Sequence, residues 1–141
     1  MSGEVAKLQS QLEIEVKEMQ NLQKDLQKLN EGRQRLLEQQ NESDLVKKEV
    51  DLLEEGANIF KLIGPVLVKQ TLQESKQTIE KRLEFIRKEA IKVELLLKDN
   101  EQKQHDKKSK IVKLQENYYK TAMGPQYEQA LSQQQQKQQA Q

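Results

Sequence analysis

Residues 58–70 read NIFKLIGPVLVKQ, and the predicted fold depends on this segment more than on any other. Two apolar runs rich in β-branched residues lie on either side of Gly64 and Pro65. Glycine tolerates positive φ, and proline presets a turn while lacking the amide donor that a strand interior needs. The stretch therefore predicts a β-hairpin over about residues 58–70, with a segment of buried helix as the alternative interpretation.

The sequence on the N-terminal side of this stretch predicts one long helix. Apolar residues recur three and four apart from Val5 to Leu36 and fill most seam positions of a heptad frame. Glu15 and Arg33 are polar exceptions on the same stripe, and polar seam residues more often fix register than mark an active site. Gly56 suits the left-handed position that closes a helix, so the helix is predicted over about residues 4–55.

A second long helix is predicted on the C-terminal side, over about residues 71–122. Thr71 and Glu74 have the spacing of a capping box, in which a hydroxyl and a carboxylate bind free backbone amides reciprocally. The apolar seam then continues to Tyr118, with a polar interval from Asn100 to Lys107. The second helix is therefore one-sided, like the first.

The predicted fold class is mainly α: a long antiparallel two-helix coiled coil with one β-hairpin at its closed end. With the hairpin between them, the helices must run back past each other, and we expect an elongated molecule. This pairing places Leu12 near Leu114 and brings acidic residues such as Glu15 opposite the lysines around Lys107. A modest electrostatic match between solvated faces is expected there. A patch that touches phosphates or an acidic protein is the alternative.

Composition excludes several classes of function. With 34% hydrophobic, 33% charged and 4% aromatic residues, a large single core is not expected. The formal charge of +1 provides no field for nucleic acid or for an anionic membrane. The chain has no Cys, one His and no glycine-rich phosphate loop, so we expect no metal, no cofactor and no catalysis. With no signal peptide or apolar span in the sequence, a cytoplasmic location is expected.

The predicted hairpin carries apolar side chains on both faces and leaves open strand edges. An isolated two-stranded hairpin is marginal in water, and open edges are normally paired or covered. Hairpins from several chains joined edge to edge into a sheet or closed barrel would solve both problems. The assembly residues predicted on this basis are Ile59, Phe60, Leu62, Ile63, Val66, Leu67 and Val68.

The opposite end of the predicted helix pair carries more apolar side chains than one seam can use. Helix ends open at low cost, so apolar residues there can be offered to another chain. Ordinary seam packing is the alternative. The predicted contacts with unfolded proteins, here called the terminal apolar residues, are Val5, Leu8, Leu12, Tyr118, Tyr119 and Met123.

The last segment, residues 125–141, is rich in glutamine and has little apolar area to offset its ordering entropy. We predict a disordered tail that follows a single domain over residues 1–124. A glutamine tract that aggregates or binds partners is the alternative to a solvated tail.

Residues 56–70, GANIFKLIGPVLVKQ, lie between two coiled-coil helices and resemble the signature of beta-class prefoldin subunits. The resemblance covers about residues 5–120. It implies a hexamer of alpha-class and beta-class prefoldin subunits with a double β-barrel base and projecting coiled coils. It also implies ATP-independent capture of unfolded proteins, including actin and tubulin, and their delivery to the cytosolic ring chaperonin. A structural coiled-coil scaffold that binds no client is the alternative.

Overall fold

The computed structural model describes residues 2–140. Met1 and Gln141, which begin the predicted domain and end the predicted tail, lie outside the described residues. Among residues 2–140, no helix is both long enough and apolar enough to cross a membrane. The predicted mainly α fold with one antiparallel hairpin is confirmed. In chain order the elements are α1 (Ser2–Asp51), β1 (Ile59–Ile63), β2 (Val66–Gln70), α2 (Leu72–Met123) and α3 (Pro125–Gln139).

The chain divides into two compact units, which are described separately. The hairpin unit is Gln27–Lys98 and contains both strands. The terminal unit combines the chain up to Leu26 with the chain from Asp99 onward, and it contains α3. Each unit thus holds part of α1 and part of α2.

The core of the hairpin unit is small, and its α2 residues lie on the predicted seam. Val50 of α1 is buried, and so are Leu83, Ile86 and Leu97 of α2. The three positions on α2 follow the spacing of three and four residues with which an amphipathic helix repeats one face. The heptad pattern therefore identified the buried stripe of α2.

The first helix ends at Asp51 and not near Glu55, as the sequence predicted. The amide of Leu53 donates to the carbonyl of Val50 at 3.1 Å, a bond of the tighter i to i−3 type that commonly closes a last turn. Gly56 has a φ of 87° and lies in the turn that follows. The positive φ expected of this glycine is present, but it belongs to a later turn and not to the end of the helix.

The start of α2 follows the predicted capping box. The amide of Thr71 donates to Glu74 Oε2 at 3.2 Å, and the amide of Glu74 donates to Thr71 Oγ1 at 3.1 Å. These two bonds satisfy amides that have no partner inside the helix. The helix then begins at Leu72.

The hairpin turn is the two-residue loop of Gly64 and Pro65, because Ile63 pairs directly with Val66. Gly64 has a φ of 57°, and every other residue with positive φ in the described chain is also a glycine. A type II′ turn requires positive φ at its first central position only, and it matches the twist of the two strands. Gly64 followed by proline therefore fixes both the turn and the register.

Residues 125–139 form α3, where the sequence analysis predicted disorder. Pro125 occupies the first turn of the helix, where its missing amide costs nothing, and the following Gln, Glu, Ala, Leu and Lys residues favour helix. None of the residues of α3 is buried. Local propensity thus accounts for this helix, whereas the expectation of disorder considered only the lack of apolar area to bury.

Candidate interaction surfaces

The pairing register divides the hairpin side chains between two faces. Side chains alternate along a strand, and residues directly paired across the two strands lie on the same face. Ile59 pairs with Gln70, and Ile63 pairs with Val66. One face consequently holds Phe60, Leu62, Leu67 and Lys69, and the other holds Ile59, Lys61, Ile63, Val66, Val68 and Gln70.

Six of the seven predicted assembly residues are exposed, and Ile59 is half-buried. Leu62 and Leu67, which pair with each other, keep 67% and 63% of their surface exposed. Val66, on the other face, keeps 57%. Monomeric proteins rarely leave contiguous apolar surface open on both sides of one element, and such patches mark interaction sites. The hairpin therefore lacks cover on both faces within the described chain.

Both strand edges of the hairpin are also open, because the sheet has two strands. The closing pair of a two-residue hairpin exchanges both backbone hydrogen bonds, and alternate pairs point their backbone groups outward. From the register, the outward amides and carbonyls belong to Phe60 and Leu62 on β1 and to Leu67 and Lys69 on β2. Each edge can therefore accept a further strand.

One end of the hairpin is tied to α2 by side chains. Ser75 is buried, and its Oγ donates to Gln70 Oε1 at 3.2 Å. This bond joins the last residue of β2 to the first turn of α2. The hairpin unit thus holds β2 in place while the exposed pairs nearer the turn remain uncovered.

In the terminal unit, the most prominent feature is an ion-pair cluster around Glu15. Lys107 Nζ donates to Glu15 Oε2 at 2.6 Å and Lys110 Nζ donates to Glu15 Oε1 at 2.9 Å. Lys107 also pairs with Glu18. The predicted match of acidic residues to this lysine patch is confirmed. The expectation of a solvated match is wrong for Glu15, because that residue is only 8% exposed.

This geometry shifts two pKa values in opposite directions. The hydrogen bond from Lys107, followed by that from Lys110, holds the pKa of Glu15 below its ordinary value, against the opposing effect of burial. The hydrogen bond to Glu15, followed by that to Glu18, raises the pKa of Lys107 above its ordinary value. Both groups are therefore charged across the whole neutral range.

The polar interval in the seam of α2 is also satisfied within the terminal unit. Asn100 is 5% exposed, and its Nδ2 donates to the backbone carbonyl of Leu22 at 3.0 Å. Gln104 Nε2 donates to Asn100 Oδ1 at 2.6 Å. Across the described residues, every buried side-chain nitrogen or oxygen has a hydrogen-bond partner. The buried polar atoms of this interval therefore have their partners within the chain.

Arg33, the other polar residue on the seam of α1, differs from Glu15 in its exposure. Arg33 lies in the hairpin unit, where its Nη1 donates to Glu94 Oε1 at 3.3 Å. Both side chains are more than half exposed. Exposed pairs of this kind contribute little stability, so a register role for Arg33 stays a prediction.

The terminal apolar residues fall into two groups. Tyr119 and Met123 are exposed, whereas Val5, Leu8, Leu12 and Tyr118 are half-buried. Half-burial is what ordinary seam packing produces, so Tyr119 and Met123 are the more accessible of the predicted contacts. A role of any of these six residues in binding other proteins stays a prediction.

The aromatic residues of the terminal unit form a contiguous group. The rings of Tyr118 and Tyr119 meet edge to face, with centroids 5.7 Å apart and an interplanar angle of 78°. The ring of Tyr119 also stacks on that of Tyr127, with centroids 6.2 Å apart and an interplanar angle of 6°. Tyr127 belongs to α3 and was missed, because its segment was expected to be disordered and carries no long periodic pattern.

Comparison with known proteins gives one consistent family. A family model described as a prefoldin subunit matches residues 13–124. The chain is 44% identical over 115 residues to a prefoldin subunit 6 of Arabidopsis thaliana, covering 82% of this chain and 89% of that protein. It is 41% identical over 111 residues to a prefoldin subunit 6 of Homo sapiens, covering 79% and 86%. The crystal structure of the prefoldin beta subunit from Thermococcus strain KS-1 has the same fold. It superposes with a TM-score of 0.67 at 18% identity, covering 82% of this chain and 94% of that one.

Proposed function

The chain belongs to the prefoldin subunit family, and we propose that it is one subunit of a hetero-hexameric, ATP-independent chaperone. In this proposal the hairpin joins the chain to other alpha-class and beta-class prefoldin subunits. The terminal apolar residues hold unfolded proteins, including actin and tubulin, for delivery to the cytosolic ring chaperonin. The protein catalyses no reaction, takes no cofactor and works in the cytoplasm.

One observation carries this proposal: the apolar side chains on both hairpin faces are exposed next to two open strand edges. A third strand laid along Leu62 or along Leu67 would satisfy outward backbone groups and cover apolar surface in the same step. Full burial of one such side chain contributes about 1.5 to 3 kcal/mol. Several covered residues would therefore outweigh the entropy lost on association. A ring of such hairpins has no remaining edge.

Holding unfolded clients requires weak contacts that can be released without nucleotide. Tyr119 and Met123 suit this use, because tyrosine offers an apolar body with a polar tip and methionine adapts to irregular surfaces. Both are exposed in the terminal unit. Several subunits in one complex would present several such sites and would gain affinity through effective concentration.

The test uses the hexamer assembled from this chain and the other prefoldin subunits. Native mass spectrometry should give a hexamer, and light scattering should show that it suppresses aggregation of actin diluted from denaturant. The double variant Tyr119→Ser with Met123→Ser should keep the hexameric mass and lose most of this suppression. Its matched control is Asn117→Ser with Lys120→Ser, at exposed polar positions on the same part of α2.

Several results would contradict the proposal. A dimer that leaves aggregation unchanged would favour the scaffold alternative. A double variant that suppresses aggregation as well as its control would remove Tyr119 and Met123 from the client surface. Delivery is tested separately, by asking whether bound actin moves to an added ring chaperonin. Actin that stays on the hexamer would reject that step alone.

A further inference from the structure

The stack of Tyr127 on Tyr119 joins α3 to one of the two exposed terminal apolar residues. We propose that α3 is an intramolecular mask, whose Tyr127 ring occupies a face of Tyr119 that an unfolded client must uncover before it binds there. This inference rests on the proposed function, because it assumes that Tyr119 contacts clients. It assigns to residues 125–139 a role in setting the affinity of the terminal unit.

The ring geometry supports a specific contact. Tyr119 and Tyr127 are nearly parallel, with an interplanar angle of 6°, and a centroid separation of 6.2 Å means that the rings are offset. Offset stacking and edge-to-face contact are the two favoured arrangements of aromatic pairs. Tyr119 makes both, since Tyr118 meets it edge to face. While α3 is in place, the part of Tyr119 against which Tyr127 lies is closed to a client side chain, and 48% of Tyr119 stays exposed.

The backbone between α2 and α3 sets the position of the mask. The amide of Gly124 donates to the carbonyl of Lys120 at 3.0 Å, and Gly124 then turns the chain with a φ of 58° and a ψ of −131°. This conformation is readily available to glycine and strained for other residues. Pro125 fixes the next φ, and the amide of Tyr127 donates to the carbonyl of Gly124 at 3.2 Å. Tyr127 is thereby held within one turn of the hinge.

The mask is weakly attached, which is what a reversible device requires. None of the residues of α3 is buried, and a 15-residue helix is marginal on its own in water. Leu131, which follows Tyr127 by one helical turn on the same face, is also exposed. Opening therefore costs little more than the aromatic contact itself, and a client that offers a better apolar partner for Tyr119 can displace α3.

The test compares Tyr127→Ala with Tyr127→Phe in the assembled hexamer. Phenylalanine keeps the ring and the stack, so it is the matched control, and α3 buries no side chain whose loss would unfold the protein. The binding probe is fluorescein-labelled, reduced and carboxymethylated α-lactalbumin, a permanently unfolded chain. An aromatic contact of ordinary strength predicts that Tyr127→Ala binds the probe about two- to tenfold more tightly than wild type. Tyr127→Phe should bind it like wild type.

A second readout reports the stack without any client. The chain has three tyrosines, so incorporation of 3-fluorotyrosine gives three fluorine resonances in the wild type. The Tyr119 resonance should shift in Tyr127→Ala relative to Tyr127→Phe, and addition of the probe to wild type should move it in the same direction. A Tyr119 resonance that is the same in both variants would overturn the inference.

The binding results separate this inference from the proposed function. Equal or weaker probe binding by Tyr127→Ala, with binding by wild type intact, would overturn the mask and leave the chaperone role standing. Weaker binding would place Tyr127 among the client contacts. If neither wild type nor Tyr127→Ala binds the probe, the proposed function fails and the mask fails with it.

Discussion

Apolar side chains are usually buried and polar ones exposed, and the hairpin and the terminal unit depart from this pattern in opposite ways. The hairpin exposes apolar side chains such as Leu62 and Val66 on both of its faces. The terminal unit instead buries polar side chains, Glu15 and Asn100, in a seam that would ordinarily be apolar. Each arrangement is costly unless the residues concerned find partners.

The difference lies in where those partners are. Glu15 is completed by Lys107 and Lys110, and Asn100 by the carbonyl of Leu22 and by Gln104, all within one chain. The exposed hairpin residues find no such cover among residues 2–140. The buried polar seam residues thus have their partners within the chain, whereas our proposal places the partners of the hairpin on other chains. Substitutions in the hairpin should therefore affect assembly, and substitutions of the buried polar seam residues should affect stability.

The largest effect is expected from Leu62→Asp. In the assembled complex this change would lose the burial of one leucine, worth about 1.5 to 3 kcal/mol, and place a carboxylate in an apolar interface. We expect at least about 100-fold weaker association with the other subunits, measured by sedimentation velocity across a concentration series. The melting temperature of the chain alone should hardly change, because Leu62 is exposed there.

The matched control for this substitution is Leu52→Asp. Leu52 is 84% exposed and follows α1, outside both strands. Normal association of Leu52→Asp beside failed association of Leu62→Asp would localise the assembly surface to the hairpin. Normal association of Leu62→Asp would contradict the proposed assembly surface, because the hairpin would then need no cover.

A smaller effect is expected from Glu15→Gln in the terminal unit. The substitution removes the charge that Lys107 and Lys110 share, and a neutral amide accepts weaker hydrogen bonds. We expect the melting temperature of the chain to fall by about 3 °C, followed by circular dichroism, with assembly unaffected. Glu13→Gln, at an exposed position in the same helix, is the control and should melt like wild type.

The difference in melting temperature between wild type and Glu15→Gln should depend on pH, and the pKa shifts give the direction. The folded pKa of Glu15 is lowered from 4.5, so its contribution is fully present above pH 4.5 and is lost as the pH falls through the folded value. The folded pKa of Lys107 is raised from 10.5, so its contribution is fully present below pH 10.5 and is lost as the pH rises through the folded value. The difference in melting temperature between wild type and Glu15→Gln should be constant from about pH 5 to 10 and shrink on both sides of that window. If the difference in melting temperature is unchanged at pH 2, the ion pair is not its cause.

The features that sequence predicted best are those set by neighbouring residues. Thr71 and Glu74 form their capping box because both groups lie within one helical turn. Gly64 and Pro65 form the hairpin turn because glycine accepts the positive φ of the first central position and proline fixes the φ of the second. The buried stripe of α2 was equally predictable, since helical period alone determines which side chains share a face.

The features that were not predicted from the sequence are those where alternative conformations or contacts have similar free energies. Gly56 predicted a helix end near Glu55, whereas α1 ends at Asp51 and the positive φ of Gly56 belongs to the turn that follows. The partners of Glu15 lie 92 and 95 residues away, and the seam pattern indicated their region but not their number or the burial of the carboxylate. Tyr127 was missed because marginal helices such as α3 have no buried stripe to reveal them.

The smallest effect is expected from Asn100→Leu, which replaces the buried polar contact of the terminal unit with an apolar one. The carbonyl of Leu22 lies inside α1 and keeps its helical bond, and Gln104 is only half-buried and can turn to water. No polar group is therefore orphaned, and the melting temperature should change by no more than about 2 °C in either direction. What should be lost is the unique register, because an apolar seam accepts shifted pairings that a buried amide rejects. NMR spectra should then show doubled backbone resonances around Leu22, which Asn21→Leu, at an exposed neighbouring position, should not show. A single set of resonances in Asn100→Leu would mean that the register of the helix pair does not depend on the buried amide of Asn100.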